Sequence, residues 1–132
     1  LDAAASAVDA GDLDGAIAAY EKVLAGRPDH ADARTGLAAV KLVKRTDGLD
    51  PATVRREADE QPADVAAQLR AADVEMLSGE VVEAFNRLIE VVRQTTGDDR
   101  NQARTHLLEL FEVASDDPRV AKARTQLANA LF

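Results

Sequence analysis

The chain has 132 residues, 46% of them hydrophobic but only 3% aromatic, which implies an aliphatic, alanine-rich core of the kind that close-packed helices build. Its 16 Lys and Arg stand against 24 Asp and Glu, a formal net charge of −8, with no basic run longer than the doublets Lys44-Arg45 and Arg55-Arg56. Phosphate neutralisation needs clustered cations, so nucleic acid is excluded as a partner.

No cysteine is present, so the chain holds neither a disulfide framework nor a thiol nucleophile. It has no apolar run long enough to span a bilayer and no signal-peptide pattern, so no membrane association and a cytoplasmic location are expected. It opens on Leu1 rather than Met, which reads as a segment of a longer protein.

Apolar periodicity predicts helices over residues 1–9, 13–26, 31–44, 51–61, 64–78, 81–94, 101–114 and 118–131, seven or eight depending on the short first one. Nothing alternates as a strand does. In the second helix Ile17, Tyr20, Val23 and Leu24 form one stripe, repeated later by Phe85, Leu88, Ile89 and Val92. Gly11 stands as far from Gly79 as Ala16 does from Ala84, and that spacing is twice the one between Pro28 and Pro62. The shorter spacing is the period of the tetratricopeptide repeat, about 34 residues forming a helix, a turn and an antiparallel helix. The middle repeat is irregular: its turn glycine is expected at Arg45 and falls instead at Gly48, and a shorter helix restores the register at Pro62. After Val92 the phase slips again, and QTTGDDRN (94–101) reads as a polar loop. Asp116-Asp117-Pro118 supplies a capping acid and a first-turn proline for the last helix. The expected fold is all-α, a right-handed array of antiparallel helix pairs in one domain, with units 1–30, 31–63, 64–97 and 98–132.

Candidates for chemistry are few. His30 and His106 are the only histidines, read as turn or surface residues rather than metal ligands. Ser6 and Ser78 lack a nucleophile elbow, Glu109 and Glu112 read as a solvated face, and the glycines lie singly rather than in a phosphate cradle. No catalytic residue, metal site or cofactor is expected.

Two surfaces are candidates for partners. The inner face of such an array draws on the first helix of each pair, here Asp32, Thr35, Ala39 and Leu42, then Ala66, Leu69, Asp73 and Met76. It lacks a Lys/Arg clamp for a terminal carboxylate and suits apolar or basic segments, or else these are ordinary packing positions. The second surface is the last helix. Residues 118–132 contain no acid, while Arg119, Lys122 and Arg124 supply cations and Leu127, Leu131 and Phe132 an apolar edge. It reads either as an end cap or as a basic docking helix.

With these features together, the chain resembles the C-terminal repeat region of bacterial thioredoxin-like co-chaperones, the CnoX or YbbN family. The resemblance rests on GDLDGAIAAYEKVLAGRPDHADARTGLA, on QPADVAAQLRAADVEMLSGEVVEAFNRLIEVVR and on the ending ARTHLLELFEVASDDPRVAKARTQLANALF. It implies a thioredoxin-like domain upstream, with the family's redox cysteine there. The alternative reading is a structural scaffold or oligomerisation domain that packs on that upstream domain or on itself through the apolar edge of Leu1, Ala5 and Val8. The resemblance also implies a holdase role: unfolding or oxidation-prone clients are bound and passed to a GroEL-type chaperonin, with residues 118–132 as the docking element. Many relatives carry an aromatic-basic-basic triplet where this chain has Ala123-Arg124-Thr125.

Overall fold

A computed structural model describes residues 1–132, all-helical and without strands. The helices are α1 (Asp2–Asp9), α2 (Leu13–Gly26), α3 (Ala31–Thr46), α4 (Pro51–Glu60), α5 (Val65–Leu77), α6 (Val81–Gln94), α7 (Gly97–Val113) and α8 (Arg119–Leu131). They fall into two compact units, Leu1–Asp47 and Gly48–Phe132.

The repeat is written into the backbone as well as the side chains. Gly11 and Gly79 both adopt the left-handed conformation (φ 76° and 82°), which glycine reaches without a Cβ penalty. Around each, the same bonds form. The Asp12 amide donates to the Ala7 carbonyl and, two periods on, the Glu80 amide to the Glu75 carbonyl, both at 2.8 Å. A second correspondence is offset by a single period: the Ala33 amide donates to the His30 side chain (3.2 Å) as the Ala67 amide does to Asp64 (3.1 Å). Pro28 and Pro62 sit in the short turns that these caps close.

In the first unit α1 packs on α2 and α2 on α3. Ala4, Ala16 and Ala33 are fully buried, and such small side chains let helix backbones approach closely. Gly36 shows how close. A Cβ there would clash with the Tyr20 ring, so the phenol occupies the space that a side chain at position 36 would need.

The second unit is built around α5 and α6. The former packs on α4, α6 and α7, the latter also on α7 and α8. Phe85, Leu88, Ile89 and Val92 of α6 meet a core that includes Leu107, Leu110 and Phe111 of α7 and Leu127 of α8, all buried. Phe85 and Phe111 meet edge to face, with centroids 5.0 Å apart.

One expectation fails. Residues 97–101 are not loop, because α7 begins at Gly97. Asp98 and Asp99 lie in its first turn, where carboxylates favour the positive helix end. Gly97 makes the entry with φ 61°, and the Arg100 Nε donates to the Thr95 carbonyl at 2.9 Å. The polar composition is that of a helix start. The third helix also runs past Lys44 to Thr46, whose hydroxyl donates back to the Leu42 carbonyl (2.7 Å).

The Tyr20–Gly36 contact gives a direct test. Gly36→Ala is expected to lower stability by roughly 1–3 kcal/mol through overpacking, despite alanine's better helix propensity, and Tyr20→Leu in the same background is expected to recover part of the loss. Chemical denaturation followed by circular dichroism measures both.

Candidate protein-interaction site

Helix α5 is buried on almost every side: Ala67, Gln68, Leu69 and the run from Ala71 to Met76 are all buried. Three polar side chains are thereby trapped, Gln68, Asp73 and Glu75, with 5%, 4% and 1% exposure. Burying a charge is costly unless it is paired and hydrogen-bonded.

Glu75 is answered from α6. The Arg87 guanidinium donates through Nε to Glu75 Oε1 (2.9 Å) and through Nη2 to Oε2 (3.1 Å). The same guanidinium reaches Gln68 Oε1 (2.9 Å) and Asp59 Oδ1 on α4 (3.1 Å). Gln68 then spends its amide on the Ala58 and Gln61 carbonyls (2.8 and 3.1 Å). Arg55 of α4 adds a second cation, 3.4 Å from Glu75 and 2.8 Å from Glu80. The bond to Glu75 is the main cause that holds the Arg87 charge more firmly than usual. This network floors a groove of about 780 Å³, whose walls include Val65 and Val91 and the α6 residues Glu83, Asn86 and Glu90.

Asp73 is answered from α7, by His106 Nε2 at 2.7 Å. Above that pair the two helices leave a hollow of about 510 Å³, lined by Leu69, Asp98, Asn101, Gln102, Thr105, His106 and Glu109. A third hollow, about 170 Å³, lies between α6 and α8, with Val82, Phe85 and Ala123 beside Arg119 and Lys122.

The inner-face residues named from the sequence are thus divided. Asp32, Thr35, Ala39 and Leu42 lie on α3 in the first unit, the first exposed and the last buried. On α5, Ala66 is exposed and Met76 buried, Leu69 lines the α7 hollow, and Asp73 is bonded beneath it. In α8, Arg119, Lys122, Arg124 and Phe132 are exposed, Leu131 is half-buried, and Leu127 is buried. The Arg124 guanidinium lies 5.0 Å from the centroid of the Phe111 ring, so part of its charge is engaged within the chain. The Arg119 backbone amide donates to Asp117 (2.9 Å), and its guanidinium grips the same carboxylate (2.6 and 2.9 Å). That cation holds the Asp117 carboxyl down at about 2.

Sequence reasoning missed the Gln68–Glu75–Arg87 network, and it read His106 as a turn or surface residue, whereas His106 is half-buried within α7 against Asp73. A signal for them exists: Gln68, Asp73 and Glu75 interrupt the otherwise apolar face of α5, and His106 follows Asp73 at just under one repeat period.

Residues 44–132 match a model of the family described as tetratricopeptide repeat, and residues 7–44 match a second model of the same description. The chain belongs to the tetratricopeptide repeat family. This repeat serves protein–protein interaction, through surfaces presented by stacked helix pairs. Relatives are uncharacterized proteins of Mycobacterium tuberculosis and Mycobacterium bovis, each 37% identical over 123 residues, or 92% of this chain. The chain spans 40% of the length of these relatives. No solved structure matches it. No helix of this tetratricopeptide chain is long and apolar enough to cross a membrane.

Three variants test the electrostatics. Glu75→Ala is expected to cost about 3 kcal/mol, since it removes the buried half of the pair and leaves the Arg87 guanidinium only Gln68 and the exposed Asp59, and the double change Glu75→Leu/Arg87→Met to cost distinctly less. Denaturant titrations of these two variants and the unaltered chain give the comparison. Asp117 has a lowered folded-state pKa, so its contribution is present above pH 3.8 and lost as pH falls toward about 2. Asp117→Asn is therefore expected to flatten the melting temperature's pH dependence in that window and to lower it at neutral pH.

Proposed function

We propose that this chain is the non-catalytic, protein-holding module of a longer thioredoxin-like chaperone of the cytoplasm, and that it takes unfolded or oxidation-prone client segments on the face shared by α5 and α7. The observation that carries this reading is the open hollow between those helices, with Leu69 at its floor and polar side chains around it. The Asp73–His106 bond ties the two helices together at the opening. The resemblance to thioredoxin-like co-chaperones supplies the client class and the upstream domain against which the chain would pack. That the chain spans 40% of its relatives' length accords with further domains.

A second reading places a GroEL-type chaperonin on α8, where Lys122 projects from a helix without acidic residues. Deleting the helix is a poor test, because Val120, Ala123 and Leu127 would leave the core with it. Charge reversal at Lys122 avoids that problem.

Thr105 is exposed and lines the hollow, so Thr105→Trp fills it without touching the core. The measurement is suppression of aggregation of a heat-unfolding reporter enzyme. Thr105→Trp is expected to weaken suppression severalfold and Lys122→Glu to leave it unchanged while reducing chaperonin binding a few-fold. Full suppression by Thr105→Trp would remove the α5–α7 face from the account.

A further inference from the structure

We infer that the α6–α8 hollow anchors an extended segment of a partner protein in which an aliphatic side chain is followed, two positions on, by a carboxylate. This rests on the reading of α8 as a docking surface and names the chemistry that its partner presents.

Size decides the kind of occupant. The hollow holds about 170 Å³, well below the roughly 300–1,000 Å³ of a small-molecule site. That is room for one side chain, received as an interface anchor is. Its lining includes the ring of Phe85 and the methyl of Ala123, each 2% exposed, and Val82, which folding leaves 42% exposed. An aliphatic side chain laid there removes apolar surface from water on both partners.

Charge decides what accompanies the anchor. No carboxylate lines this hollow, although the chain as a whole carries a net charge of −8. Arg119 is gripped by Asp117, and Glu83 further favours its charge, so it is already answered. Lys122 is different: its ammonium makes no ion pair or hydrogen bond within the chain, and neither do the side-chain amides of Asn86 and Gln126. An ammonium and two amides therefore line one apolar hollow with their donors unspent, and a carboxylate is the group that uses them together. Lys122 also closes the first turn of α8, where a cation opposes the helix dipole, so an arriving acid offsets that as well.

The register of the segment follows from strand geometry. Neighbouring side chains of an extended chain point to opposite sides, while those two apart share a side. An acid two positions from the anchor thus faces the helices with it, about 7 Å away. The flexible four-carbon stem of a lysine spans such an offset.

The test titrates peptides of about ten residues into the isotope-labelled chain and follows its amide signals by NMR, which reads weak affinities and the place of binding together. One peptide carries leucine with glutamate two positions on. The others move the glutamate next to the leucine, replace it by glutamine, or replace the leucine by alanine. The first peptide is expected to shift the side-chain amide signals of Asn86 and Gln126. It is expected to bind about threefold to fivefold more tightly than the glutamine and adjacent-glutamate peptides at low salt, and roughly tenfold more tightly than the alanine peptide. Lys122 is exposed, so Lys122→Gln keeps the fold, which its spectrum verifies. That variant is expected to bring the glutamate and glutamine peptides within about twofold of each other while the alanine peptide stays weak. Equal binding of the glutamate and glutamine peptides, equal binding of the two glutamate registers, equal binding of the leucine and alanine peptides, a preference that survives Lys122→Gln, or signal changes away from α6 and α8 would each overturn the inference. If Lys122→Glu reduces chaperonin binding while the peptides show no preference, α8 remains a docking surface and only the inferred chemistry fails. If the peptides bind as expected and Lys122→Glu leaves chaperonin binding unchanged, the hollow stands as an anchoring site and the chaperonin reading of α8 falls.

Discussion

A carboxylate with 1% exposure in the middle of an all-helical unit sets the terms for everything around it. Burying Glu75 is costly unless a cation is delivered to it with good geometry, and Arg87 delivers one through two hydrogen bonds. The same guanidinium then binds Gln68 and Asp59, so one side chain of α6 joins α5 to α4. On the opposite side of α5, Asp73 makes the corresponding demand and His106 of α7 meets it. Hydrocarbon packing supplies the cohesion of the second unit, and these polar bonds decide which residues face each other within it.

Much of this architecture is legible in the sequence. Gly11 and Gly79, Ala16 and Ala84, and Pro28 and Pro62 mark turns, close approaches and helix ends by local chemistry alone, and the helices begin and end within a few residues of those marks. Residues 97–101 mislead because composition alone does not separate a polar loop from an acid-rich helix start: Asp98 and Asp99 satisfy either description until the backbone direction is known. The polar network is illegible for a different reason. Periodicity shows that a residue lies on an inward face, but a pairing such as Glu75 with Arg87 depends on the rotation of one helix against another, which no single stripe encodes. His106 is misread as a surface residue in the same way, since its partner Asp73 lies two helices earlier in the chain.

The two candidate surfaces differ in how much of each is left over after folding. Helix α8 gives Val120, Ala123 and Leu127 to the core, and the charge of Arg119 is shared with Asp117 and that of Arg124 with the ring of Phe111. A stripe that reads from sequence as a free basic helix is therefore largely occupied by its own chain, with Lys122 its main outward charge. The α5–α7 face keeps an opening of about 510 Å³, with His106 in its lining and bonded to the buried Asp73.

The arrangement around Glu75 also bears on mechanical precision. Apolar ridges tolerate small rotations and slides with little change in contact area, whereas a guanidinium gripping a carboxylate by two atoms does not. Turning α5 by a single residue, about 100°, would push Glu75 into hydrocarbon and pull an apolar neighbour toward Arg87. The helix that floors the hollow is thus indexed like a key in its slot, and whatever lies across it meets the same contour each time.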